Sequence, residues 1–170
     1  MKKLYILIIT AFILLPADLA GQGYYRQAGV RTGVRGGIFL QMPAAAGNNP
    51  VDFNAMLGFN NNGLQLTLMR IIYETSISDI SPDLYFAWGY GGHAGFIVTD
   101  HIRYMGENYN FATERFCPVL GADGWAAVEY RFRDIPLILS LNVKPFVELS
   151  IPAFVKIMPA DIGISISYIF

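Results

Sequence analysis

The sequence predicts an all-β protein: an eight-stranded antiparallel transmembrane β-barrel that follows a cleaved signal peptide. Three observations predict it. A basic and then apolar leader opens the chain. Beyond that leader no uncharged apolar stretch approaches the roughly 20 residues of a spanning helix, although 54% of the residues are hydrophobic and 14% aromatic. Finally, apolar residues recur at every second position in one segment after another, the period of a strand with one apolar face.

The leader comes first. Lys2 and Lys3 precede an apolar run from Leu4 to Leu15, interrupted by Thr10, then Pro16 and small residues, which is the pattern of a secretory signal. A run of about a dozen apolar residues is too short to anchor the chain as a helix. Cleavage is expected between Ala20 and Gln22, with Asp18 an unfavourable neighbour to that cut, so the domains are 1–21 signal peptide and 22–170 barrel. No cysteine sits near the cut to carry a lipid. The mature chain of about 150 residues suits one domain. The net charge of −1, without a basic stretch, excludes nucleic acid as an expected partner. The one cysteine, Cys117, cannot form an intramolecular disulfide and is expected as an incidental residue in a loop.

Alternation is clearest at the C-terminus, where Ile162, Ile164, Ile166, Tyr168 and Phe170 oppose Asp161, Gly163, Ser165 and Ser167. Leu137, Leu139, Leu141 and Val143 oppose Ile138, Ser140, Asn142 and Lys144; Ala126, Val128, Tyr130 and Phe132 oppose Trp125, Ala127, Glu129 and Arg131. Arg133-Asp134-Ile135-Pro136 between these two segments predicts a hairpin. Upstream, Leu84, Phe86, Trp88, Tyr90, Ala94 and Phe96 share one face, and Leu64, Leu66 and Leu68 another. Val51, Phe53, Ala55, Leu57 and Phe59 oppose Asp52, Asn54 and Gly58; a first strand from Val30 to Phe39 sets Val30, Val34 and Ile38 against Arg31 and Arg35.

Closure in lipid requires an even number of strands when both termini share a side, because unpaired edge groups there cost several kcal/mol each. An eighth strand is therefore expected at about His101 to Tyr109. Connections 60–62, 98–100 and 133–135 then become short periplasmic turns, and 41–50, 75–83, 110–120 and 149–160 become longer outer loops. On this arrangement Phe59, Phe96, Phe132 and Phe170 form an aromatic girdle at one interface. A hairpin at Gly91-Gly92 is the rival placement; it would break the alternation from Leu84 to Phe96.

The face opposite the apolar one carries Arg31, Arg35, Arg131 and Lys144 against Asp52, Glu129, Glu148 and Asp161. Such charges, buried, require partners. An interlocking network filling the lumen is expected, with His93 as one of its satisfied polar members, because eight strands leave a space that side chains nearly fill. Gly89, Gly91 and Ala94 match a loose dinucleotide fingerprint but lie in a strand-like segment without the helix that motif needs. The chain has no Gly-x-Ser-x-Gly, no His-Glu-x-x-His and no phosphate loop. No catalytic residue, metal site or cofactor is expected. Arg70 shares the parity of Leu64, Leu66 and Leu68, so it either reaches the headgroups or follows a bulge that reverses the faces.

Trp88-Gly89-Tyr90-Gly91-Gly92-His93-Ala94-Gly95-Phe96, Glu129-Tyr130-Arg131-Phe132 and Ser165-Ile166-Ser167-Tyr168-Ile169-Phe170 carry a resemblance. The mature chain resembles the small bacterial outer-membrane β-barrel domain family, the eight-stranded barrels similar to the OmpA membrane domain and OmpX. The resemblance implies an outer-membrane location in a Gram-negative envelope, contact with outer-membrane lipid and lipopolysaccharide, and recognition of the terminal strand by the barrel-assembly machinery. It implies no single activity. A structural or surface-interaction role for a barrel without an open pore is expected. The alternatives are a lipid-modifying enzyme using scattered residues such as His93 and His101, and a soluble exported barrel with reversed faces around an apolar ligand.

Overall fold

A computed structural model describes residues 26–43, 51–60, 63–74, 81–104, 107–151 and 154–170. The expected signal segment lies outside them. Ten strand segments form one antiparallel sheet: β1 (Gln27–Arg31), β2 (Gly36–Pro43), β3 (Val51–Asn60), β4 (Gly63–Glu74), β5 (Leu84–Tyr104), β6 (Glu107–Arg131), β7 (Leu137–Val143), β8 (Phe146–Ser150), β9 (Phe154–Met158) and β10 (Ile162–Ile169). Each strand from β1 to β6 pairs with the next, β10 pairs with β7, and β10 also pairs with β1, which closes the sheet.

Ten segments make eight barrel strands. Along β6, Ala126 pairs with Val143 and Asp123 with Phe146, so β7 and β8 continue one another in register across Lys144-Pro145. Between β9 and β10 the chain carries one extra residue, because Phe146 pairs with Met158 while Val143 pairs with Ile162. That bulge changes the parity: Ile157 and Ile162 both point outward, 68% and 61% exposed.

The eighth strand is not at His101 to Tyr109. The expected first strand is instead two, β1 and β2, folded at Thr32 to Arg35, where Gly33 takes φ of +145°, a conformation that L side chains rarely adopt. Val30, Val34 and Ile38 all still face outward across this turn, which is why the stretch reads as one strand. Residues 101–104 and 107–109 belong to the ends of β5 and β6, which run without the expected breaks at 98–100 and 110–120. Gly91-Gly92 lies inside β5, and Cys117 is not in a loop but in β6, fully buried.

These two changes alter the sidedness. Phe170 pairs with Arg26 and Phe132 with Leu137, so both phenylalanines sit at the end of the barrel that holds the termini. Phe59 and Phe96 flank Leu64 at the opposite end. The four therefore mark two rims, not a single girdle. The turn between β3 and β4 is at the far end, whereas β2 runs to β3, and β4 to β5, at the terminal end. Segment 149–160 is largely strand. Beyond Ile97 and Val119, where the ladders to β4 and β8 stop, β5 and β6 continue as a hairpin past the far rim, paired with each other apart from a register shift between Thr99 and His101.

Candidate functional site in the barrel lumen

Strict alternation sends one side chain in two into the lumen, and all nine interior residues named from the sequence are on that face. Arg31, Arg35, His93, Glu129, Lys144, Glu148 and Asp161 are buried, while Asp52 and Arg131 are half-buried. The structure divides them into two groups.

The first lies toward the far rim and is held by ion pairs. Arg35 bonds Glu148 at 2.5 Å, and its other terminal nitrogen donates to Gln65. Lys144 Nζ bonds Asp123 at 2.5 Å. His93 joins the two pairs, with Nδ1 2.7 Å from Asp123 and Nε2 3.2 Å from Glu148. Carboxylates only accept hydrogen bonds, so a ring protonated on both nitrogens satisfies the two by donating from each. Neither nitrogen is then free to act as a general base. Gly121 makes this possible: a Cβ there would meet the imidazole at 2.4 Å.

Phe146 sits among these charges. Its ring takes the His93 edge at a centroid distance of 5.9 Å and has Arg35 at 4.6 Å, Lys144 at 5.3 Å and Lys156 at 5.9 Å, a cation–π arrangement that suits a desolvated space. Next to it, Arg31 donates to Asp161 at 3.0 Å and to Asn142 at 2.7 Å, while Asp161 accepts the Val34 amide at 2.8 Å. This ties the β1–β2 turn to the bulge before β10.

The second group lies toward the termini and joins neutral hydrogen-bonding side chains to the charges of Asp52, Glu129 and Arg131. Tyr73 Oη accepts from Gln41 at 2.7 Å and lies 3.2 Å from Glu129, to which it donates. Gln41 also donates to Asp52 at 2.7 Å and accepts from Asn54 at 3.0 Å. Arg131 approaches Glu129 at 3.6 Å and stacks over Tyr85 at 4.1 Å. Asn54 Oδ1 and Ser140 Oγ are buried without a protein partner, and both residues line a cavity of about 10 Å³, the room of one water. Between the groups Met69, Ile71, Ala87 and Ala127 pack with Tyr85 and Trp125.

Sequence reasoning missed Asp123, Tyr73, Gln41 and Phe146. Asp123 was hidden by starting its strand at Trp125; carrying the parity of Glu129 and Ala127 two positions beyond Trp125 would have found it. Tyr73 likewise continues the parity of Gln65 and Thr67. Phe146 carried no signal, because an apolar residue on the polar face reads as noise. Among the described residues no group of three or more His, Cys, Asp or Glu side chains is placed to hold a metal ion. The His101 side chain lies outside the described residues.

No family model matches the sequence, and no curated protein matches it either. The fold does have a counterpart. The structure is similar to the N-terminal β-barrel domain of Pseudomonas aeruginosa OprF, with a TM-score of 0.55 and 11% identity, covering 86% of this chain and 96% of that one. At that identity the likeness is one of fold: an eight-stranded antiparallel barrel.

Proposed function

We propose that this barrel spans the outer membrane, with a closed lumen and a structural or surface-interaction role. One observation carries the reading, the inversion of polarity across the wall. Ile164, Leu141, Leu66 and Leu120 are 49–64% exposed on the outside, while Arg31, Lys144, Asp161 and Glu148 are at most 3% exposed inside. Such an apolar exterior is a liability in water and matches the lipid-facing band of a membrane barrel. It also runs against the soluble, ligand-binding alternative, which needs the isoleucines within.

The likeness to an outer-membrane barrel domain supports the location, and the leader supports export. The termini then face the periplasm, and the β5–β6 hairpin projects outward, where it would meet lipopolysaccharide or a surface partner. The alternating terminal strand Ile162–Ile169 with Phe170 is the segment offered to the barrel-assembly machinery. Interlocked pairs and a nearly solid interior support a scaffold over a conduit.

Gel mobility of protein from an outer-membrane fraction, with and without boiling in detergent, tests the reading. A heat-dependent shift is expected, together with no steady conductance in planar bilayers. Recovery from the soluble periplasm without a shift would reject the membrane assignment, and a stable open conductance would reject the closed lumen.

A further inference from the structure

Arg70 is a cation on the lipid-facing wall. Alternation is unbroken from Gly63 to Glu74, so no bulge turns Arg70 inward, and it is exposed on the same face as Leu64, Leu66 and Leu68. Its cross-strand neighbours are Phe53 on β3 and Tyr90 on β5, 51% and 53% exposed. Those two strands present no charge on the outward face beside it, from Val51 to Phe59 and from Leu84 to Phe96. The nearest outward carboxylate on its own strand is Glu74, about 13 Å along the chain, and it already accepts the Trp88 indole N–H at 3.1 Å. A guanidinium facing hydrocarbon with no protein anion beside it among the described residues finds its partner in the headgroup layer, which a long side chain reaches by snorkelling. Arg70 stands in the part of β4 nearer the termini, so that layer is the one on the terminal side.

We propose that Arg70, framed by Phe53 and Tyr90, is a docking point for the phosphate of an anionic phospholipid in the leaflet nearest the termini. Guanidinium binds phosphate through paired, charge-assisted hydrogen bonds. The two rings are placed to pack beside the glycerol and upper acyl segments, where amphipathic aromatics settle. A zwitterionic lipid offers the same phosphate with its own ammonium beside it, so the site selects lipids lacking that cation. This inference rests on the membrane reading above.

Trp88 is a built-in probe, since it is outward and on the strand that carries Tyr90, whereas Trp125, the second of two tryptophans, faces the lumen. Protein recovered from membranes is reconstituted into vesicles of equal parts phosphatidylcholine and phosphatidylglycerol, brominated near the carbonyl end on one lipid or the other. The Trp88→Phe variant supplies the Trp125 background. Stronger Trp88 quenching is expected when phosphatidylglycerol carries the bromine, reflecting about fivefold local enrichment. Arg70→Gln should equalise the two, and Arg70→Lys should keep part of the difference. Equal quenching in the wild type overturns the site while leaving the barrel in lipid, and so does a preference that persists in Arg70→Gln. Quenching by neither lipid overturns the membrane reading itself. The wild-type comparison decides even if Arg70→Gln does not fold.

Discussion

The two ends of the lumen solve the same problem with different chemistry. Toward the far rim, Arg35, His93, Asp123, Lys144 and Glu148 form a chain of charges in which each member holds at least one opposite partner. Toward the termini, Tyr73, Gln27, Gln41 and Asn54 share hydrogen bonds that need no ionisation, while Asp52 and the buried Glu129 accept from Gln41 and Tyr73 and Arg131 approaches Glu129. Losing one member of a buried ionic chain leaves an uncompensated charge, whereas losing one neutral bond leaves at most an unsatisfied polar atom. The far end should therefore be brittle and the terminal end forgiving.

Substitutions read by urea unfolding in lipid vesicles test that contrast. Asp123→Ala, which strands Lys144 and leaves His93 with Glu148 alone, is expected to cost about 3–5 kcal/mol. A loss below 1 kcal/mol would mean that water reaches the far-end cluster. Next in size is Ile164→Arg on the outer face of β10, expected to cost about 2–4 kcal/mol for a position near the bilayer midplane. That change separates wall from lumen, because it leaves both networks intact. If it proves harmless, the lipid-facing assignment of β10 is wrong.

Tyr73→Phe removes the hydroxyl shared by Gln41 and Glu129 and should cost about 1–3 kcal/mol. A loss larger than that of Asp123→Ala would reverse the comparison. Smallest of all, Arg133→Ala breaks the exposed 2.6 Å contact to Asp83 between two connections at the terminal end, and no resolvable change in stability is expected. A resolvable loss would show that these connections lock the barrel and do not merely join its strands.

How much was legible in the sequence varied with distance along the chain. The direction of each side chain was legible for Ile162 to Phe170, Leu137 to Lys144 and Leu84 to Phe96, because inward and outward are set by a period of two within the strand. Arg31, Lys144 and Asp161 could be placed inside on that ground alone. The breaks in the first strand and at the hairpin beyond Ile97 were not legible. At Thr32 to Arg35 the alternation passes through a turn unchanged. Past Ile97 the hairpin stands clear of the neighbouring strands, so alternation there weakens into polar residues on both sides.

By itself, then, the sequence determined the class of fold, the count of eight strands and the two faces of the wall, since these follow from local periodicity and the need to satisfy the backbone in lipid. Tertiary structure decided which end each turn occupies, that the phenylalanines mark two rims, and which charges meet. Arg31 finds Asp161 across 130 residues of chain, and His93 finds Glu148 across 55. Such partners are chosen by the register with which the barrel closes. Closure is a property of all eight strands together, and no short stretch of residues records it.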